Sequence, residues 1–238
     1  MTIPVLELKD VSKSYGGLRP LRIQRLTVSP AECVVILGMD QPMAEVFVNL
    51  VTGASLADGG SVAVFGQPTS AIADSTEWLT VVDRFGIVSE RAVMLEGLTV
   101  LQNLAVPFTL DIEPPSDESR TRAAALAREV GLAEDEWDKP VGALNGAARA
   151  DVRLARALAL DPAVLLLEHP TAAVDRQDVS ALGRRVRSVA RRRGAAAVVL
   201  TADQPFAESL DGRLVTLDAA TGRLKERRGT GWFGRRLG

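Results

Sequence analysis

Residues 144–175 read LNGAARADVRLARALALDPAVLLLEHPTAAVD, and the order of segments within them decides the fold. From 147 to 160 apolar side chains recur at roughly helical spacing (Val152, Leu154, Ala155, Leu158), and Asp161-Pro162 stops that helix because proline cannot continue it. Ala163 to Leu167 follows as an unbroken apolar run of strand length, the pattern of a strand covered on both faces of an α/β sheet. It ends in Glu168, His169 and Pro170.

This order resembles the nucleotide-binding subunit of ABC transporters, in which a signature LSGGQ opens a helix ending in ARAL, followed by an LLLLDEP strand and an SALD turn. Here LNGAA (Leu144, Asn145, Gly146, Ala147, Ala148), ARAL (Ala155 to Leu158), LLLEHP (Leu165 to Pro170) and AAVD (Ala172 to Asp175) stand in those places. The resemblance implies an α/β chain of the P-loop NTPase-like ABC ATPase fold, with a mixed sheet core, an antiparallel β subdomain and a helical subdomain. It also exposes departures. The signature serine is Asn145, its second glycine Ala147 and its glutamine Ala148, while the Mg-associated aspartate is Glu168 and the catalytic glutamate is His169.

At 238 residues the chain is long enough for one α/β domain with a smaller helical subdomain. The expected division is an ABC nucleotide-binding-type domain over 1–226, its helical subdomain at about 91–160, and a basic aromatic tail over 227–238. A net charge of −2 gives no global basic field, so no nucleic-acid partner is expected. No run approaches the ~18 to 20 apolar residues of a membrane span, and MTIPVLELKD lacks the build of a signal peptide. A cytoplasmic protein, peripheral on the inner face of the cell membrane, is the expectation. The single cysteine, Cys33, lies in an apolar run and reads as a buried structural thiol.

Glu32 to Gly38 reads as a buried strand and Met43 to Val51 as the helix after it. A phosphate-binding loop between such elements needs G-x-x-x-x-G-K-[ST]: glycines let backbone N–H groups converge on phosphate, lysine neutralises it and a hydroxyl ligates Mg. Residues 38 to 45 read GMDQPMAE, and only Gly38 matches. Met43 replaces the second glycine, Ala44 the lysine and Glu45 the hydroxyl, and Pro42 removes a backbone donor. At about 1.5 to 3 kcal/mol per charge-assisted hydrogen bond, losing lysine and hydroxyl together costs roughly 3 to 6 kcal/mol, or about two to four decades of affinity. The vestigial loop therefore comprises Gly38, Asp40, Gln41, Met43, Ala44, Glu45 and Val46. Glu45, with Asp40 as a second candidate, reads either as a built-in anion at the helix N-terminus or as a solvated first-turn glutamate.

Val5 to Asp10 alternates like an edge strand, and Val11 to Tyr15 with Gly16-Gly17 resembles the strand and turn before the family's adenine site. Tyr15 either stacks on a base or packs over the sheet. Ser61 to Gly66 reads as a strand, Ser70 to Arg84 as a helix, and Phe85 to Ser89 as a strand. After that last strand the family has a glutamine that senses Mg and couples nucleotide to the membrane partner; Glu90 stands there. MLEGLTVLQNLAVPF, residues 94 to 108, is similar to the LLPHLTVLENVALP pattern of the lipoprotein-release, macrolide-export and cell-division branch. The resemblance implies that a permease docks in a groove near Glu90 to Phe108.

Glu118 to Val130 reads as an amphipathic helix, Asp178 to Arg192 as a basic helix and Ala195 to Thr201 as a buried strand. The arginines of the basic helix form either a solvated face or a surface for an anionic lipid or partner. After Thr201 the family's γ-phosphate histidine is Ala202, though Asp203 remains. His169, the chain's one histidine, reads as a general base or as a structural residue. Arg213 to Asp218 and Arg223 to Glu226 form a terminal hairpin. The tail mixes Arg227, Arg228, Arg235 and Arg236 with Trp232 and Phe233, which suits a membrane interface or a partner groove as well as plain disorder.

The substitutions strike nucleotide grip, metal, signature and base separately. They imply a catalytically degenerate subunit, a pseudo-ATPase, that pairs with an active ATPase paralogue and docks on a membrane permease. They also imply either no ATP binding or only weak ATP binding, put Mg binding in doubt, and offer no residue as a metal ligand. Two other classes stay open: an active but unorthodox ATP-hydrolysing subunit, and a non-transport scaffold or regulatory binding module.

Overall fold

The first two strands form one ribbon. In the computed structural model, which describes residues 2–227, β1 (Leu6–Lys13) pairs antiparallel with β2 (Leu21–Val28). The chain then runs through β3 (Cys33–Leu37), α1 (Gln41–Val51), β4 (Gly59–Val64) and β5 (Gln67–Pro68) to α2 (Ser75–Val82) and β6 (Phe85–Ser89). Next come α3 (Val100–Ala105), α4 (Asp117–Val130), α5 (Gly146–Ala157), β7 (Val164–Glu168), α6 (Val179–Arg193), β8 (Ala196–Thr201) and α7 (Gln204–Ser209). The hairpin of β9 (Arg213–Asp218) and β10 (Arg223–Glu226) follows.

These strands make two sheets. The smaller is antiparallel, in the order β2-β1-β4-β5. The larger has the order β10-β9-β3-β8-β7-β6; it is parallel from β9 to β6 and carries β10 as an antiparallel edge. Side chains alternate across a strand, so one apolar run feeds two cores. Val34 and Ile36 of β3, with Val164 and Leu166 of β7, pack on α1 and the antiparallel sheet. Val35 and Leu37, with Leu165 and Leu167, pack on α3 to α7.

Several boundaries differ from the sequence reading for local reasons. Val5 to Tyr15 is not an edge strand followed by another, because β1 is continuous and lies between β2 and β4. A register shift between Lys9 and Ser12, with Asp10 at φ +47°, breaks its alternation as a bulge does. The expected helix from Ser70 begins instead at Ser75, because the Asp74 carboxylate accepts the N–H groups of Thr76 and Glu77, each at 2.9 Å, and so caps it there. Thr99 and Gln102 close a capping box on α3. The buried Asn103 accepts the Leu95 N–H and donates to the Leu95, Leu98 and Thr99 carbonyls, fixing the entry to the helical layer.

The basic helix α6 is turned partly inward. Arg185 donates to Asp151 at 2.9 Å, and Arg193 bridges Glu129 and Asp161, so these arginines tie α6 to its neighbours and do not form a solvated face. Arg184, Arg191 and Arg192 remain exposed. Among the described residues no helix is long and apolar enough to cross a membrane. The readings of the tail from Arg228 onward fall outside the described residues.

Candidate nucleotide site

Gly38, Met39 and Asp40 alone separate β3 from α1. Gly38 has φ +92°, and a Cβ there would stand 3.0 Å from the Leu217 carbonyl oxygen, so the turn needs glycine. Met39 is buried in the core formed with the antiparallel sheet and α1. Asp40 is the N-cap: its Oδ1 accepts the Met43 N–H at 2.9 Å. The helix consequently begins at Gln41, before the expected Met43. The anion at the helix N-terminus is therefore Asp40, and Glu45 is freed for a different contact one turn further on. Ala44 is buried, and Met43 and Val46 pack partly against the core.

That contact is with Arg91. Its Nη1 donates to Glu45 Oε1 at 3.0 Å, while its Nε and Nη2 fork onto the two oxygens of Glu168 at 3.1 and 2.7 Å. The Glu168 side chain is fully buried and the Arg91 side chain 41% exposed, so the guanidinium covers the carboxylate at the open side. The Gln41 amide nitrogen also donates to Glu168 Oε1. The bond to Glu168, more than burial opposes it, pushes the Arg91 pKa up. Gln41, Glu45, Glu168 and Arg91 thus form one linked group at the mouth between α1 and β7.

Tyr15 lies on this side of the molecule. Its hydroxyl pKa is raised, first by partial burial and then by the Asp40 carboxylate. The ring folds over Gly17, where a Cβ would come within 2.8 Å of it. One edge packs against the core and the rest stays open.

Glu90 is held separately. Both of its oxygens accept from Arg153 of α5, at 2.8 and 2.7 Å. Arg149, Arg153 and Arg156 recur at i, i+4 and i+7, one helix face, and each reaches the same loop. Arg149 donates to Glu96, Arg153 to Glu90 and Arg156 to the Val93 carbonyl. The loop after β6 is therefore clamped from α5 on one side, and from Glu45 and Glu168 through Arg91 on the other.

The remaining positions are dispersed. Asn145 caps α5 by accepting the Ala148 N–H at 2.8 Å, while Leu144 and Ala148 are buried. A Cβ on Gly146 would fall 1.8 Å from the Ala173 carbonyl oxygen, so the start of α5 rests directly on the turn that carries Asp175, and Ala147 follows half-buried. No hydrogen bond among the described residues joins Leu144–Ala148 to the loop at 38–46. His169 has φ +43°, its N–H donates to the Leu200 carbonyl, and its Nε2 is buried without a hydrogen-bond partner. Ala202 is exposed in an open cleft of about 410 Å³ with Val174, Arg176 and Asp203.

The sequence profile of the ABC transporter family matches residues 21–172, more than half of the chain. The chain belongs to the ABC transporter family. The lipoprotein-releasing system ATP-binding protein LolD of Alcanivorax borkumensis is 30% identical over 208 residues, covering 86% of this chain and 90% of LolD. The sulfate/thiosulfate import ATP-binding protein CysA of Methylococcus capsulatus is 30% identical over 221 residues, which is 90% of this chain and 60% of CysA. A dimeric, post-hydrolysis structure of the ATP-binding cassette MJ0796 bound to ADP and Pi aligns with TM-score 0.73 and 24% identity over 94% of this chain and 99% of that one. The protein cbiO1 of Clostridium perfringens, part of the ABC transporter complex cbiONQ, aligns with TM-score 0.77 and 19% identity over 93% of this chain and 87% of that one. At these identities the structural likeness speaks for the ABC cassette fold.

These matches correct the expectation of no ATP or only weak ATP, with Mg in doubt: this ABC chain sits among proteins named for ATP binding, and a cassette of the same fold carries ADP and Pi. Beside the loop at 38–46 the cation is Arg91, which comes from the loop after β6 and reaches Glu45 and Glu168. Mg is commonly held by one or two carboxylates together with substrate phosphates; Glu168 and Glu45 are the carboxylates here, and because Arg91 engages both, an Mg ion would have to displace the guanidinium from one of them. When bound, Mg supplies neutralisation of phosphate charge.

Arg91 and Arg153 are the residues that sequence reasoning missed in this ABC chain. Arg91 adjoins Glu90 but gives no local signal, because its partners lie 46 and 77 positions away. Arg153 was legible in principle from the spacing of arginines along α5.

Proposed function

We propose that this chain is a catalytically degenerate nucleotide-binding subunit of an ABC transporter, a pseudo-ATPase that works beside a second, competent ATPase subunit. Membership of the ABC family supports the subunit role. The observation that carries the degenerate reading is at residues 168 and 169. The Glu168 carboxylate is buried and occupied by Arg91 and Gln41, and His169, in the place of the family's base, has its ring Nε2 buried without a partner. A general base must reach the proton that it removes, directly or through one water. Glu168 accepts from the Arg91 guanidinium and the Gln41 amide, and the Nε2 of His169 is buried away from solvent.

Pairing is supported by the dimeric form of MJ0796. In a mixed dimer Leu144–Ala148 of this chain faces the partner's complete loop, and Asn145 and Gly146 supply what signature contacts there are. The permease docks in the groove near Glu90 to Phe108, where Val93 is 76% exposed, and the chain works on the cytoplasmic face of the membrane as a peripheral subunit.

The test is purification of the tagged chain with its membrane complex from its own cells, with mass spectrometry of the intact assembly. The expected assembly contains one copy of this chain, one ABC subunit with a full G-x-x-x-x-G-K-[ST] loop, and a permease. An assembly whose ATPase subunits are two copies of this chain contradicts the reading.

A further inference from the structure

The loop at 38–40 and helix α1 carry no lysine or arginine, so any cation that meets phosphate at this mouth must come from another element. We propose that Arg91 is the residue through which this chain grips the phosphate chain of its nucleotide, an inference that rests on the ATP-binding subunit reading above. Three observations support it.

Arg91 is the cation that the structure places on both Glu45 and Glu168. Its anchor is rigid, because the Nε and Nη2 fork grips a carboxylate with no exposed surface, which fixes the plane of the guanidinium. The fork also leaves donors over. A guanidinium has more N–H groups than these bonds use, so one N–H on each Nη remains for an acceptor on the open side. A planar, pre-oriented fork of this kind suits phosphate oxygens.

Glu45 is the counterweight. Its carboxylate takes one Nη1 hydrogen at 3.0 Å and adds negative charge where a polyphosphate arrives. It therefore competes with the ligand for Arg91, and the group is tuned below its full affinity. The ligand class is a nucleoside triphosphate or an inorganic polyphosphate, with the phosphates as the recognised feature.

The experiment is calorimetric titration of the full chain and of Arg91→Ala, Arg91→Lys and Glu45→Gln with Mg-ATP, repeated with inorganic tripolyphosphate. Each variant is first checked for native circular dichroism. At the strength of a charge-assisted hydrogen bond, Arg91→Ala weakens both ligands about 10- to 100-fold. Arg91→Lys falls between that variant and the natural chain, because it keeps charge and loses the fork. Glu45→Gln tightens tripolyphosphate, titrated without Mg, several-fold.

Arg91→Ala binding as tightly as the natural chain, or more tightly, overturns the proposal and makes the guanidinium a plug. If Arg91→Ala does not fold, the other two variants decide: unchanged affinity in both, or weaker binding of Mg-free tripolyphosphate by Glu45→Gln, overturns it. Absence of saturable binding in every protein, the natural chain included, instead removes the nucleotide-binding reading on which the proposal rests.

Discussion

Cutting the tie between Glu90 and Arg153 has a calculable cost. The Arg153 side chain is 7% exposed and Glu90's 34%, and two hydrogen bonds of 2.8 and 2.7 Å join them. At about 1.5 to 3 kcal/mol per charge-assisted bond, the gross value is roughly 3 to 6 kcal/mol. Glu90 is a third exposed and regains water when the tie is cut, so solvent screening brings the expected coupling down to about 2 to 3 kcal/mol. The assay is a double-mutant cycle by urea unfolding of the natural chain, Glu90→Ala, Arg153→Ala and the double variant. With a slope of about 2 kcal/mol per molar urea, each single variant shifts the midpoint down by roughly 1 M or more, and the double variant loses little beyond the worse single. Because the Arg153 end is buried, 1 M salt leaves most of the coupling intact. A coupling below about 0.5 kcal/mol, in the range of ordinary surface pairs, refutes the argument that this clamp holds the loop after β6 to α5.

Two further outcomes follow from the same geometry. Burial pushes the Asp151 carboxyl up to about 6, against the pull of Arg185, and Glu136 and Asp178 add to the push. A folded pKa above the unfolded value means stability that is full below about pH 4 and lost as pH rises through 6, by up to about 3 kcal/mol. Asp151→Asn, which still accepts from Arg185, should therefore gain melting temperature relative to the natural chain between pH 5 and 7.5; a pH-independent difference contradicts this. Gly146→Ala would put a methyl 1.8 Å from the Ala173 carbonyl, a backbone atom that cannot step aside cheaply. Its expected cost is about 1 to 3 kcal/mol in urea unfolding, and a neutral result means that the start of α5 and the turn at 171–175 are not in firm contact.

Elements buried on both faces were legible almost to the residue, because an apolar run bounded by Gly or Pro has few other readings. β6 at Phe85–Ser89 stands where the sequence puts it and β7 is offset by one residue; the terminal hairpin, only partly buried, also stands where its pattern puts it. β2 escaped notice because its burial alternation slips at Gln24 and Arg25, both exposed. The site was legible as a set of positions and opaque as a network. That Asp40 and not Glu45 caps α1 depends on where the helix begins, and the partners of Arg91 and Arg153 depend on tertiary folding. Counting lost side chains one by one gave an expectation of little or no ATP that the family membership and the ATP-binding relatives overturn, and it left out Arg91, which meets Glu45 and Glu168 only in the folded chain.

The central claim, that this ABC subunit does not turn over ATP by itself, is tested most directly by phosphate release from the purified chain at saturating Mg-ATP. The account expects no release above the enzyme-free blank, in the natural chain and in Glu168→Gln alike. Turnover in the ordinary range of about 1 s⁻¹ or more, abolished by Glu168→Gln or by His169→Ala, would contradict it and make those two residues the chain's own catalytic pair.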